Sequence, residues 1–350
     1  MVKDLKYLIG YSIPAAAIIG IFYPTWFAYL TPIYAFGFLP LIELFTKPDP
    51  ANLSEEEEQR KHNSPFYDFM LYLSVPIQYT VIFLLVSKIN QGSQSLFEVI
   101  GMVLSAGISC GAIGINVAHE LGHRVTKHER IMAKALLLTS LYMHFYIEHN
   151  RGHHKYVSTP QDPATARYGE SLYRFIIRSV LQSVISAWNI EKQRLTKKNI
   201  PILSFSNEML RFALIEIIFV LIIFIVFGLQ SMLAFVAAAV IGFVLLETIN
   251  YIEHYGLMRK EIAPGKYEIV RPEHSWNSDY RIGRIMLFEL TRHSDHHYKA
   301  SRKYQVLRHF GNAPQLPTGY PGMMLLATIP PLWFKTMNQR IKDLQLNYQA

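Results

Sequence analysis

Nine of the 14 histidines fall into four short motifs, and these are the residues best suited to bind metal. They are His119 and His123 in HELGH, His149, His153 and His154 in EHNRGHH, His254 in NYIEHYG, and His293, His296 and His297 in RHSDHH. Residues four apart share one face of a helix, so the two histidines of HELGH can hold one ion, as can the first and last of RHSDHH. Adjacent histidines point about 100° apart on a helix, so the paired residues in two motifs favour two metal centres over one.

The histidines alone leave the metal and the reaction open, because imidazole binds Fe, Zn, Cu and Ni. A redox-active metal beside an apolar helix bundle is well placed to oxidise lipids or hydrocarbons, which favours iron over zinc. HELGH also matches the H-E-x-x-H pattern of zinc proteases, in which Glu120 would be the general base. Catalytic zinc takes about three protein ligands, so an intramembrane zinc metalloprotease would leave most of the nine histidines without a role. That protease and a membrane metal transporter stay open as alternatives of a different class.

Four carboxylates stand close in sequence to the candidate ligands: Glu120, Glu148, Glu253 and Asp295. A metal-binding histidine commonly donates its second N–H to a carboxylate that orients the ring. We predict this supporting role for the four, and no catalytic side chain beyond the metal ligands. The histidines outside the motifs are predicted to lie at the surface or behind the ligands: His62, His128, His144, His274 and His309.

Long apolar runs must position these motifs. Hydrophobic residues make up 51% of the chain and charged residues only 17%, which is typical of a membrane protein. Six runs approach the ~20 residues needed to cross the hydrocarbon core. They are 7–24, 26–46, 66–87, 96–118, 212–229 and 232–252. We therefore predict an all-α membrane protein with six transmembrane helices and a single domain over residues 1–350.

Lys and Arg predict the orientation of this bundle. The three connectors on one side carry a single basic residue, Lys88, and are 24–25, 88–95 and 229–232. The positive-inside rule makes the other side cytoplasmic, so both termini and the segments 119–206 and 254–350 should lie there. A net charge of +8 on that face can attract anionic lipid or an acidic partner, and we expect no nucleic-acid partner.

This topology gathers the four histidine motifs at one face. The fourth span ends near His119 and the sixth near His254, both at the cytoplasmic edge, while the other two motifs lie in cytoplasmic segments. We therefore predict a histidine-rich site on the cytoplasmic side. Two shorter helices are expected near it, one within 129–148 and an amphipathic one at about 170–195.

Cys110 is the only cysteine in the chain. One thiol excludes a disulfide framework and any iron site of the four-cysteine type. Its neighbours Gly107, Gly111 and Gly114 predict close helix packing around a buried, inert thiol.

The four motifs, together with HFYIEHNRGHHKYVSTPQDPATARYGESLYRF, resemble the integral-membrane alkane 1-monooxygenases over most of the chain after about residue 100. Membrane fatty acid desaturases and xylene-type hydroxylases carry similar histidine boxes and stay open as alternatives using the same iron site. NYIEHYG and the Asn-Arg-Gly of the second motif favour the alkane enzymes.

The resemblance implies a non-heme di-iron enzyme of the bacterial inner membrane with six transmembrane helices. In that family the nine histidines named above would hold two iron ions. The enzyme would use O2 to convert an n-alkane to a primary alcohol. Electrons would come from NADH through a rubredoxin reductase and rubredoxin, which must be a separate protein because this chain has one cysteine.

An alkane offers no polar group, so its binding must come from burial at ~0.8 kcal/mol per methylene. A slot between the helices, open to lipid and ending at the metals, would deliver the terminal carbon first. We predict that bulky residues on the first two spans close its far end, with Trp26, Phe27 and Phe36 as candidates.

Overall fold

The computed structural model describes the backbone of residues 2–349 and the side chains of residues 4–344. Most of the described chain is helical, as predicted. In chain order the α-helices of this part are α1 (Ser12–Phe22), α2 (Leu30–Ile33), α3 (Leu39–Leu44), α4 (Glu55–His62), α5 (Pro65–Asn90), α6 (Leu96–Ser109), α7 (Asn116–Gly122), α8 (Lys127–Leu138), α9 (Phe145–Glu148), α10 (His154–Tyr156), α11 (Leu172–Thr196), α12 (Glu208–His254), α13 (Arg281–Met286), α14 (His293–Tyr298), α15 (Tyr320–Ala327) and α16 (Pro330–Gln349). Strands β1 (Glu261–Ala263) and β2 (Lys266–Tyr267) form a short antiparallel hairpin.

Tighter and wider helical turns join several of these helices into longer stretches. The 3-10 segments are Val2–Tyr11, Trp26–Tyr29, Pro272–His274 and Tyr304–Val306, and the π-helical turns are Tyr34–Phe38, Cys110–Ile115 and His149–His153. Among the described residues, five stretches are long and apolar enough to cross a membrane: Asp4–Phe22, Trp26–Leu44, Pro65–Asn90, Leu96–Gly122 and Glu208–His254. The chain is an integral membrane protein, as its composition indicates.

Helix α12 consists of two antiparallel arms that meet at Gly228. This residue has φ 79° and ψ 175°, a conformation almost restricted to glycine. The rings of Phe219 and Phe235 lie 5.3 Å apart, whereas an uninterrupted helix rising 1.5 Å per residue would separate them by about 24 Å. The chain therefore reverses direction at Gly228.

The predicted apolar runs correspond to these stretches with small shifts at the ends. The last two runs, 212–229 and 232–252, are the two arms of α12. The connector predicted at 229–232 was wrong, because those residues are helical. A single left-handed glycine reverses the chain, so no polar loop is needed there.

Helices α6 and α12 approach each other closely through glycine. A Cβ at Gly107 would lie 2.6 Å from the Cβ of Ile241, and one at Gly242 would lie 2.7 Å from the Cβ of Cys110. Neither approach leaves room for a larger residue. The close packing predicted around Cys110 is confirmed, and its buried thiol accepts a hydrogen bond from Gln78 Nε2 at 3.1 Å.

The amphipathic helix predicted at about 170–195 is α11. Tyr173, Ile177 and Leu181 are exposed along one face, whereas Phe175 and Ala187 on the opposite face are fully buried. A helix with such an apolar outer stripe suits the interface between lipid and water.

Gly228→Ala should lower the apparent melting temperature of the purified protein. Holding an alanine at this φ and ψ costs about 1 to 3 kcal/mol of backbone strain. The added Cβ would have no atom within 4 Å, so no new contact would offset that cost. Gly37→Ala is the matched control: its Cβ would meet the neighbouring Ile33 at an ordinary 3.9 Å without a left-handed φ. Equal melting temperatures for the two variants in thermal unfolding would contradict the tight reversal.

Candidate metal centre

The nine motif histidines come together in two clusters. The five-histidine cluster comprises His119, His123, His149, His154 and His296, and the four-histidine cluster comprises His153, His254, His293 and His297. Within each cluster the candidate ligand atoms all lie within 4.8 Å of one another. Each adjacent histidine pair sends one member to each cluster. The five other histidines belong to neither.

A π-helical turn assembles the five-histidine cluster from the second motif. His149–His153 forms this wide turn, in which hydrogen bonds join residues five apart rather than four. Residues five apart therefore come nearly over one another, and the Nε2 atoms of His149 and His154 lie 3.0 Å apart. The Nε2 of His123, just beyond the end of α7, lies 3.1 Å from that of His149.

Two helix ends assemble the four-histidine cluster. His293 and His297 lie four apart on α14, with their Nε2 atoms 2.9 Å apart. His254 is the last residue of α12, and its Nε2 lies 3.1 Å from that of His293. The end of the longest apolar stretch thus reaches the cluster directly.

The spacing of the nitrogens fits bound metal. Six contacts between Nε2 atoms measure 2.9 to 3.2 Å. Ligands at right angles on a metal, each about 2.1 Å from it, would lie about 3.0 Å apart. Unprotonated imidazole nitrogens cannot satisfy one another, because each is an acceptor. Convergence of so many on two points therefore indicates metal binding.

The electrostatics keep the imidazoles in the form that binds metal. Burial lowers the pKa of His123 to about 3. Burial and the neighbouring rings also hold the pKa values of His149, His296 and His297 well below their usual range. These rings are neutral at physiological pH and keep a nitrogen lone pair available.

Asp162 supports the four-histidine cluster and was missed in the sequence. Its Oδ2 lies 2.9 Å from His153 Nδ1 and also accepts a hydrogen bond from the Thr165 hydroxyl at 2.5 Å. Burial alone would lower the pKa of His153, but the Asp162 carboxylate outweighs it and raises that pKa. Because an ionised carboxylate only accepts, Nδ1 carries a proton that it donates to Asp162, and Nε2 lies 3.2 Å from His297 Nε2. Its only signal was an acidic residue nine positions after His153.

Of the four carboxylates proposed from the sequence, Glu253 touches an imidazole. Its Oε2 lies 3.1 Å from His293 Nε2, the nitrogen that faces the cluster, and its Oε1 accepts a hydrogen bond from the Tyr320 hydroxyl at 2.6 Å. Glu253 therefore stands on the metal side of the ring rather than behind it.

The other three carboxylates have different contacts. Glu120 accepts hydrogen bonds from Arg124 at 2.8 Å and from the Tyr304 backbone at 3.2 Å. Asp295 accepts from Arg302 at 2.9 Å and from the Arg308 backbone at 2.7 Å. These two brace the segment around the histidines. Glu148, buried beside the π-helical turn, accepts from Ser186 at 3.3 Å, and burial raises its pKa to about 8.

An apolar cavity shares residues with the surroundings of the clusters. Its lining comes from distant parts of the chain and includes Ile13, Phe36, Ile108, Leu245, Met286, Leu287 and Tyr320. Leu287 also lines a second, smaller pocket bounded by His119 and His296. The cavity therefore approaches the five-histidine cluster past Leu287, and the four-histidine cluster past Tyr320.

Phe36 lines this cavity, whereas the other two aromatic residues proposed for the slot do not. Trp26 and Phe27 lie at the opposite end of the second stretch and are 79% and 54% exposed. Trp26 packs against Phe97, with ring centroids 5.1 Å apart. Their exposure suits contact with lipid or its interface.

Comparison with known proteins agrees with this geometry. Residues 93–326 match the model of the fatty acid desaturase family. The chain is 38% identical to alkane 1-monooxygenase 2 of Pseudomonas aeruginosa, over 98% of this chain and 93% of that protein. It is 40% identical to the alkane 1-monooxygenase of Pseudomonas putida, over 86% of this chain and 75% of that protein.

The chain belongs to the alkane 1-monooxygenase family. The resemblance seen in the motifs is thereby confirmed. The hydroxylase component of a xylene/toluene monooxygenase from Pseudomonas putida is 28% identical over 98% of this chain and 90% of its own length. Because the alkane 1-monooxygenases match at higher identity, that family is favoured over the xylene-type hydroxylases. It identifies the chain as an oxidoreductase of the monooxygenase class, rather than a metalloprotease or a metal transporter.

Asp162→Asn should weaken metal binding by about 10 to 100-fold, the usual cost of losing a carboxylate that orients a ligand histidine. An amide no longer holds the proton on His153 Nδ1, so the ring can turn or change tautomer. Metal retained against increasing chelator, measured by mass spectrometry, gives the change. Asp343→Asn on the exposed surface of α16 is the control. Equal retention in both variants would show that Asp162 does not support the ligand.

Proposed function

We propose that the protein is an alkane 1-monooxygenase that hydroxylates the terminal methyl of n-alkanes to give 1-alkanols. The observation that carries this proposal is an apolar cavity whose lining residues Leu287 and Tyr320 connect it to the surroundings of two histidine clusters in a member of this family. A metal centre beside a cavity without polar guidance suits a substrate that consists only of carbon and hydrogen.

The proposed cofactor is a pair of non-heme iron ions, one for each histidine cluster, with the nine histidines as ligands. Bound iron would supply the activation of O2 and the transfer of one oxygen atom to a C–H bond. Imidazole nitrogens are suitable iron ligands, and the neutral state of the buried rings supports this assignment. We propose supporting roles for Glu120, Glu148, Glu253 and Asp295, of which Glu253 contacts the proposed ligand His293.

The chain itself binds the substrate, aligns it and excludes water. Ile108, Leu245 and Met286 offer the alkane apolar contacts worth ~0.8 kcal/mol per buried methylene. Leu287 and Tyr320 narrow the space next to the clusters, which favours the approach of a chain end over a mid-chain carbon. Holding the methyl in position lowers the entropic part of the barrier.

We propose that the protein crosses the bacterial inner membrane six times as a single domain. Four helical stretches and the two arms of α12 supply the six spans, and the tight turn at Gly228 supports counting the arms separately. Lys88 is the only Lys or Arg near the end of the bundle away from the histidines. This asymmetry supports a cytoplasmic metal centre and cytoplasmic termini.

Rubredoxin, reduced by an NADH-dependent reductase, is the proposed electron donor. Arg151, Lys155 and Lys299 are exposed and each lies within two residues of a proposed iron ligand. A basic surface so close to the metal centre suits an acidic donor protein.

The proposed function is tested with purified, iron-loaded protein supplied with rubredoxin, its reductase, NADH and n-octane. Gas chromatography should detect 1-octanol as the main product, formed in step with oxygen consumption. Alkenes from an octyl chain, or methyl oxidation of xylene at a higher rate than of octane, would favour a desaturase or a xylene-type hydroxylase instead.

His254→Ala should reduce bound iron and lower octane hydroxylation by more than about 100-fold, beyond the usual effect of losing a group that only supports a ligand. His62→Ala, on the exposed surface of α4, is the matched control and should keep both. Two irons per chain and near-normal turnover in His254→Ala would make this histidine structural.

Phe36→Ala should shift the product profile toward longer alkanols, because the ring lines the cavity. Each additional methylene that the enlarged cavity buries strengthens binding about fourfold. Competition among n-alkanes of increasing length measures the shift. Trp26→Ala and Phe27→Ala are controls outside the cavity, and their shifts should be smaller. A profile that responds to them and not to Phe36→Ala would place the closed end elsewhere.

A further inference from the structure

The apolar cavity contains one polar group whose role the alkane does not explain. Among its lining residues only Glu43 and Tyr320 have side chains that can form hydrogen bonds. The hydroxyl of Tyr320 already donates to Glu253 at 2.6 Å. Glu43, near the end of α3, remains available.

Glu43 is a buried and only partly satisfied carboxyl group. Its side chain is 1% exposed, and Oε1 accepts a hydrogen bond from the Gly283 backbone at 3.0 Å. Its Oε2 is also buried and has no hydrogen-bond partner among the described residues. No Lys or Arg of the described part forms an ion pair with it. Leaving such an acceptor unpaired in an apolar site destabilises the protein.

The surroundings of Glu43 are shaped around its carboxyl group. A Cβ at Gly319 would overlap this group, and one at Gly283 would lie 2.9 Å from its Oε1. Both glycines therefore leave space that the carboxyl occupies. Gly319 directly precedes Tyr320, whose partner Glu253 touches His293. The carboxyl thus lies at the part of the cavity that adjoins the four-histidine cluster.

An n-alkane cannot pair with Oε2, whereas a primary alcohol carries one O–H donor. We propose that Glu43 accepts a hydrogen bond from the hydroxyl of the 1-alkanol and so draws the product away from the metal centre. This inference rests on the proposed function, since it takes the alcohol as the product. Either protonation state of the carboxyl offers a lone pair to the hydroxyl. Glu43 would then distinguish product from substrate inside one cavity.

A purely structural role for Glu43 would have different consequences. The hydrogen bond to Gly283 lies in the first turns of α13, so Glu43 could simply fix that helix. Loss of that contact would lower the melting temperature equally with or without alcohol. It would leave the relative affinities for alcohol and alkane unchanged.

The test measures binding without turnover. Iron-loaded protein in phosphatidylcholine nanodiscs, without reductant, is titrated with 8-fluorooctan-1-ol and with 1-fluorooctane while 19F NMR reports the bound fraction. After correction for uptake by empty nanodiscs, the wild type should prefer the alcohol by about 3- to 10-fold, as expected for one hydrogen bond. Glu43→Leu should abolish the preference, and Glu43→Gln, which keeps a carbonyl acceptor, should retain most of it.

Thr31→Val is the matched control, because Thr31 has a buried unpartnered hydroxyl on the same stretch but does not line the cavity. Its preference for alcohol should equal that of the wild type. A wild type without preference, or a Glu43→Leu variant that keeps it, would overturn the proposal. If Glu43→Leu does not fold, the comparison of the two probes on the wild type still tests the proposal, because a wild type without a preference for the alcohol would overturn it. A protein that prefers the alcohol but oxidises no alkane would contradict the proposed function and the role in product release, and would leave only the hydrogen bond between Glu43 and a primary alcohol.

Discussion

The convergence of nine largely buried imidazole rings in two clusters is the constraint on which the rest of the structure depends. Their Nε2 atoms approach within about 3 Å of one another, and lone pairs brought so close repel. Burial lowers the pKa of rings such as His123, so these do not relieve the repulsion by taking up protons, whereas the Asp162 carboxylate raises the pKa of His153. A cation in each cluster turns the same arrangement into a set of bonds. We therefore expect metal binding and folding to be coupled in this protein.

Holding those rings requires that distant segments be tied together on one side of the bundle. Arg292, immediately before α14, is 1% exposed and donates to the carbonyl groups of Leu307 and Ala51 at 2.8 and 2.9 Å. Its Nε lies 3.3 Å from Asp279. One guanidinium thus joins the loop after the second span to the segment that carries His293. The helix that carries His293 is fixed by hydrogen bonds from the residue that immediately precedes it.

The features that could be predicted from the sequence are those set by local patterns. Apolar runs gave the membrane helices, and the i, i+4 spacing of His293 with His297 gave their shared cluster, because both depend on the chain over one or two turns. The pairing of His149 with His154 could not be foreseen, since it requires a π-helical turn rather than an α-helix. The reversal at Gly228 was missed because a single residue takes the place of a polar loop. Asp162 and Glu43 have roles that depend on contacts with residues far along the chain or on tertiary burial, which no local pattern encodes.

The division between an apolar cavity and a polar metal centre determines how selectivity can arise. Burial of methylenes has no direction, so it favours longer chains without choosing which carbon reacts. The choice must come from shape where Leu287 and Tyr320 separate the cavity from the clusters. Tyr320 cannot move freely, because its hydroxyl is held by Glu253, which in turn touches His293. The cavity wall at Tyr320 is thereby connected through Glu253 to His293, which fixes its position relative to the four-histidine cluster.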